Sequence, residues 1–158
     1  MSPSSVPRVF VVDDDMLIAS SLAAILKLHG YSATSFTSPL EALAAAQASA
    51  PDLLISDVAM PGLSGVDLAI LIKAECPECK ILLFSGHATN HDLLKDARGQ
   101  VNTFQLLQKP VHPSVMLSNV RSLTIKRRLA GRKSPDPVTA SPVKSLPRIL
   151  QMRSTGAR

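Results

Sequence analysis

The chain has 158 residues, 46% of them apolar and 18% charged, enough to bury one core of ordinary domain size. With 3% aromatic residues it lacks a stacking platform for nucleic acid, no apolar run approaches the length of a membrane span, and the apolar stretch 9–12 ends at three aspartates rather than at a signal-peptide cleavage site. The net charge of +5 is uneven: residues 1–125 hold eight Lys/Arg against eleven Asp/Glu, whereas residues 126–158 hold nine basic residues and a single acid, Asp136.

Residues 1–7, with Pro3, Pro7 and three serines, predict a short flexible leader. Five short apolar runs then alternate with five helix-period stretches, the pattern of helices covering both faces of a buried parallel sheet. After the run 9–12, Ile18, Leu22, Ile25, Leu26 and His29 recur at three and four residues until Gly30 stops the helix. After 32–36, Ser38-Pro39 is a cap followed by a first-turn proline, opening an alanine-rich helix through Ala48. After 53–56, a helix over about 65–75 puts Val66, Ile70 and Ala74 on one stripe. After 81–84, Thr89 and Asp92 have capping-box spacing and open a fourth helix. After 104–107, a fifth helix from near Pro113 turns Met116, Val120 and Leu123 inward. From Arg132 onward, Pro135, Pro137, Pro142 and Pro147 interrupt a polar segment with no apolar period, which predicts disorder. The expected organisation is a leader over 1–7, one (βα)5 domain over 8–127 and a disordered Pro/Arg-rich tail over 128–158.

In open α/β sheets, ligands bind at the carboxyl ends of the strands, and here those ends carry the polar chemistry. The first run leads into Asp13-Asp14-Asp15, the third into Asp57, the fourth into Ser85 and the fifth into Lys109. Carboxylates meeting in one crevice raise one another's pKa and stay ionised only beside a cation. An all-oxygen set of two or three carboxylates suits Mg2+ with room for water and a phosphoryl oxygen, and the absence of Cys or His from these strand ends argues against zinc. A carboxylate flanked by a metal, a hydroxyl and a lysine is suited to accept a phosphoryl group. Asp57 is the expected nucleophile, since Asp13 and Asp14 form the acidic pair that more naturally holds metal. Asp15 is expected as an acid at the start of the first helix. A lone aspartate at a strand end is more often a turn residue, so the weight lies in four such positions together.

The runs Val-Val-Asp-Asp-Asp (11–15), Ile-Ser-Asp-Val-Ala-Met-Pro-Gly-Leu-Ser-Gly (55–65), Leu-Phe-Ser-Gly (83–86) and Lys-Pro (109–110) resemble the receiver domain of bacterial response regulators, the CheY-like fold, over roughly residues 7–125. The resemblance implies a flavodoxin-like, doubly wound parallel sheet in the order 2-1-3-4-5. It implies that a sensor histidine kinase or a histidine phosphotransferase donates a phosphoryl group to Asp57. It further implies that Asp13, Asp14, Asp57 and the backbone carbonyl of Ala59 bind Mg2+, and that Ser85 and Lys109 sense the acyl phosphate. The Met60-Pro61-Gly62 turn and Gly65 would shape the loop after Asp57, and Lys109-Pro110 would be cis. An effector protein would be engaged through the fourth helix, fifth strand and fifth helix.

This sequence departs from the family in two places. Leu106 stands three residues before the lysine, where an aromatic switch is usual, and strand alternation puts Phe104 on the same face. Ala59 cannot hydrogen-bond the water that hydrolyses an acyl phosphate, whereas His87, two residues after Ser85, has the chemistry to do so. The expected role is a stand-alone, cytoplasmic phosphoacceptor rather than a turnover enzyme; the alternative is a relay intermediate that passes the group to a histidine phosphotransferase. Asp13-x-Asp15 also satisfies formally the motif of a dehalogenase-type phosphatase, which would leave Asp57 and Ser85 without roles. Cys76-Pro77-Glu78-Cys79 is one Cys-x-x-Cys without a second pair, expected in a turn away from the crevice and with no disulfide framework. His29, His91 and His112 are expected at helix ends or on the surface. The basic tail lacks a recognition helix, so nucleic-acid contact is expected to be weak at most, and no membrane partner is expected.

Overall fold

The computed structural model of the chain describes residues 5–86 and 104–130, with side chains to residue 125. Five strands, β1 (Arg8–Val12), β2 (Ser32–Phe36), β3 (Leu53–Asp57), β4 (Lys80–Ser85) and β5 (Gln105–Gln108), form one sheet in the order β2-β1-β3-β4-β5 with every pairing parallel. Among the described residues there are four helices: α1 (Met16–Leu28), α2 (Pro39–Ala48), α3 (Gly65–Glu75) and α4 (Pro113–Ala130). This is the flavodoxin-like winding of the CheY-like domains, with β1 beside β3 at the centre.

Strand alternation divides the core in two. Val9, Val11, Leu53, Ile55, Leu82 and Phe84 face α1 and α4, meeting Ala23, Leu26, Met116 and Val120. Phe10, Val12, Leu54, Ile81 and Leu83 face α2 and α3, meeting Ala42, Ala46, Ala69 and Ile72. Because both faces are covered, the central strands are near-continuous apolar runs, with Ser56 a buried polar residue within β3.

Two helical stripes differ from those the periodicity predicts. In α1 the fully buried positions are Ala19, Ala23 and Leu26, while Ile18 is 38% exposed. The small alanines let the helix lie close to the sheet and push the bulkier Leu22 and Ile25 to its flank. In α3 the buried line runs through Val66, Ala69 and Ile72, and Ala74 is exposed. Two strict steps of four residues drift about 80° around a helix of 3.6 residues per turn, enough to carry the third member into solvent.

The helix ends follow local chemistry. Ser38 caps α2, whose first residue is Pro39, and the Ser64 hydroxyl accepts the Asp67 N–H at 3.1 Å at the start of α3. His29 ends α1 with Nδ1 at 2.8 Å from the Ile25 carbonyl, and Gly30 at φ +87° turns the chain away. The expected fourth helix with Thr89 and Asp92 lies outside the described residues, as do 1–4 of the leader and 131–158 of the tail. No described helix is long and apolar enough to cross a membrane.

Candidate functional site

The carboxyl ends of β1 and β3 and the residue after β5 meet at one crevice. Asp13 follows β1 directly, and its N–H donates to the Phe36 carbonyl at 3.1 Å, extending the β1–β2 pairing by one residue. Its buried carboxylate accepts the Asp15 N–H at 2.9 Å through Oδ1 and the Lys109 ammonium at 3.1 Å through Oδ2. Asp57, the last residue of β3, has a largely buried side chain, 12% exposed, with Oδ1 at 3.4 Å from Lys109 Nζ. Asp14 is exposed at the rim, and one carboxylate oxygen each from Asp13, Asp14 and Asp57 lies within 4.8 Å of the others. Asp15 is turned away to a different task, capping α1 by accepting the N–H groups of Leu17 at 2.9 Å and Ile18 at 3.3 Å.

Ser85 ends β4, buried and in register with Gln108 of β5. Its carbonyl accepts the Lys109 N–H at 2.8 Å, so the main chain of β4 helps hold the lysine, and the Lys109–Pro110 bond is cis. Ala59 is exposed on the loop two residues after Asp57. Between them Val58 is pinned twice, its N–H to the Phe84 carbonyl and its carbonyl to the Gly65 N–H, both at 2.9 Å. The structure therefore brings Asp13, Asp14, Asp57 and Lys109 together, with Ser85 at the adjoining strand end.

Among the described residues, three carboxylates face one lysine. Burial pushes the Asp57 carboxyl above its ordinary range; Lys109 pulls it back, Asp13 and Asp14 push it up again, and the balance is upward. Burial alone would lower Lys109, but its hydrogen bond and charge contact with Asp13, followed by those with Asp57, outweigh that and raise it. An all-oxygen cluster that grades from buried Asp13 to exposed Asp14, with excess negative charge and no thiol or imidazole among the described residues, is compatible with Mg2+.

Other sequence candidates fall elsewhere. Cys76 caps the end of α3 and Cys79 precedes β4, at the opposite end of that strand from Ser85. Both are free and buried, and burial pushes the Cys79 thiol up to about 12, the reverse of a reactive thiolate. His112 lies just before α4, with Nδ1 at 2.7 Å from the Ser114 hydroxyl. Phe104 packs against the core beneath α2 and α3, whereas Leu106 is 44% exposed on β5. His87 and His91 lie outside the described residues.

Sequence reasoning passed over Ser56. This fully buried hydroxyl donates to the Asp57 carbonyl at 3.0 Å, and its signal was a serine closing the apolar run Leu53-Leu54-Ile55.

Residues 9–121 match the response regulator receiver domain. The chain belongs to that family, the CheY-like receivers of two-component systems. It is 32% identical over 127 residues to the C4-dicarboxylate transport transcriptional regulatory protein DctD of Rhizobium meliloti, a match covering 80% of this chain and 27% of that protein. It is 32% identical over 120 residues to the phosphoglycerate transport system transcriptional regulatory protein PgtA of Salmonella typhimurium, covering 76% of this chain and 28% of the relative. The chain thus spans little more than a quarter of either. Among solved structures, the chemotaxis protein CheY4 of Vibrio cholerae superposes with a TM-score of 0.67 at 26% identity, over 75% of this chain and 99% of that one.

Proposed function

We propose that this receiver accepts a phosphoryl group on Asp57 from a phosphohistidine of a sensor histidine kinase or histidine phosphotransferase, and signals as a single-domain, cytoplasmic response regulator. The observation that carries the reading is the meeting of a largely buried carboxylate with two further aspartates and one lysine, in a chain of the receiver family. On this reading an Asp57 carboxylate oxygen attacks phosphorus in line. The new O–P bond forms as the bond from phosphorus to the histidine nitrogen breaks, and the leaving imidazole keeps that electron pair. Burial favours the attack, because a poorly hydrated carboxylate gives up little water to react.

Lys109, shared in the resting state between Asp13 at 3.1 Å and Asp57 at 3.4 Å, turns to an equatorial phosphoryl oxygen, and the Ser85 hydroxyl donates to another. Asp13, Asp14, Asp57 and the Ala59 carbonyl would hold Mg2+, which would supply positive charge against the phosphoryl oxygens. The chain is on this account a phosphoacceptor, not a turnover enzyme.

Drawing Lys109 and Ser85 toward the modified Asp57 shifts the strand ends of β4 and β5, and so the surface carried by β5 and α4. An effector protein reads that change. Leu106, exposed on β5, replaces the usual aromatic in this surface. The relatives DctD and PgtA are transcriptional regulators of which this chain spans little more than a quarter. Incubation with acetyl phosphate and Mg2+ tests the proposal: one acid-stable, base-labile phosphoryl group is expected on the wild type and none on Asp57→Asn. Absence of uptake by the wild type would end it.

A further inference from the structure

We infer that Ser56 is a positioning residue for the phosphoacceptor, its buried hydroxyl and the bare Cα of Gly65 together holding the Asp57 peptide and thereby aiming the carboxylate. The inference rests on the reading of Asp57 given above.

The need for such a device follows from the register. Pairing of β3 with β1 ends at Ser56, opposite Val12, whereas pairing with β4 continues to Asp57, opposite Phe84. Asp57 therefore lies one residue past the point where β3 is flanked on both sides. On the β4 side the Val58 N–H holds the chain through the Phe84 carbonyl at 2.9 Å. The Asp57 carbonyl itself accepts from Ser56 Oγ at 3.0 Å.

That hydroxyl lies in apolar surroundings. Ser56 alternates with Leu54 and Val58 on the strand face that packs beneath α2 and α3. An unsatisfied hydroxyl there is costly, and the Asp57 carbonyl satisfies it. The first residue of α3 completes the clamp. A Cβ added to Gly65 would lie 1.8 Å from the Asp57 carbonyl oxygen, 2.8 Å from its carbon and 3.0 Å from Ser56 Oγ. Gly65 is thus bare because the Asp57 peptide and the Ser56 hydroxyl occupy the space, and its own N–H is tied to Val58 at 2.9 Å. Only ψ and the two side-chain torsions of Asp57 separate this clamped carbonyl from the carboxylate that faces Lys109 and Asp13. A small tilt of the peptide moves the nucleophile off line, and misplacement near 1 Å can cost on the order of a hundredfold in rate.

The experiment compares wild type, Ser56→Ala and Ser56→Thr in phosphorylation by acetyl phosphate at saturating Mg2+, with thermal midpoints and amide hydrogen exchange measured on the same proteins. Loss of the hydroxyl is expected to lower the saturated rate roughly tenfold, leave the half-saturating acetyl phosphate concentration unchanged and speed exchange of the Gly65 amide, while threonine restores the rate. The inference is overturned if Ser56→Ala reacts at the wild-type rate. It is also overturned if rate, half-saturation and thermal midpoint all deteriorate together, as a purely structural role would produce. If the wild type takes no label, the reading of Asp57 fails instead, and the Gly65 exchange still reports whether Ser56 clamps the peptide.

Discussion

The two ends of the sheet are built on opposite plans. At the amino end, Asp52 accepts the Arg8 N–H at 2.8 Å, the Arg8 guanidinium donates to the Ala50 carbonyl at 3.1 Å, and the Asp52 N–H returns a bond to the Arg8 carbonyl at 2.8 Å. Both charged side chains there reach main-chain groups, Asp52 that of Arg8 and Arg8 that of Ala50 in the segment leading into β3. At the carboxyl end, Asp13, Asp14 and Asp57 converge while Lys109, among the described residues, is the one opposite charge within bonding distance. The first arrangement is complete as built; the second is left with surplus negative charge, which an added cation relieves. Local rules of charge satisfaction are strained in the carboxyl-end crevice and obeyed at the amino end, the pattern expected where a site is set into a fold.

Substitutions at the two ends test that contrast. The largest stability loss is expected from Gly65→Ala, because a methyl 1.8 Å from the Asp57 carbonyl oxygen forces α3 away from β3. Urea unfolding should show a loss of about 3 kcal/mol, the upper range for overpacking. Next in size is the cation itself. At a Mg2+ concentration a hundred times its dissociation constant, the wild type should gain about 2.7 kcal/mol, a gain that chelation reverses and that Asp13→Asn reduces. A wild type whose unfolding ignores Mg2+ would break the contrast. At the amino end, Asp52→Ala should cost about 1 kcal/mol through the Arg8 N–H left without its acceptor, with no change in the response to Mg2+.

The smallest effect is a gain. Since the folded-state pKa of Asp57 is raised, the folded protein holds that proton more tightly than the unfolded chain, and ionised Asp57 weakens the fold at neutral pH. Without divalent cation, Asp57→Asn should therefore have the higher urea midpoint at pH 7. The gap should narrow as the pH falls through the raised value and vanish below the ordinary 3.8, where the carboxyl is neutral in both states.

Much of this was legible in the residues. The strands are local apolar runs, and the observed strand bounds depart from the expected ones by one residue at most at each end, as with β3 reaching Asp57 and β4 starting at Lys80. Strand-end polarity located Asp13, Asp57, Ser85 and Lys109 because such groups are out of place after a buried run. Helix faces were harder to read, since Ala19 and Ala23 bury more completely than Ile18, and hydrophobic size misleads where a helix must approach a sheet closely. Ser56 was hidden for a related reason. Its partner is the carbonyl of the next residue, and a bond to main chain leaves no second side chain in the sequence to point to it.

The most direct test of the account is to locate the phosphoryl group. After reaction with acetyl phosphate and Mg2+, borohydride reduction converts an aspartyl phosphate to homoserine, which peptide mass spectrometry can place. The account predicts homoserine at position 57 and nowhere else. Homoserine at position 13 or 14, or label retained on a histidine, would contradict it.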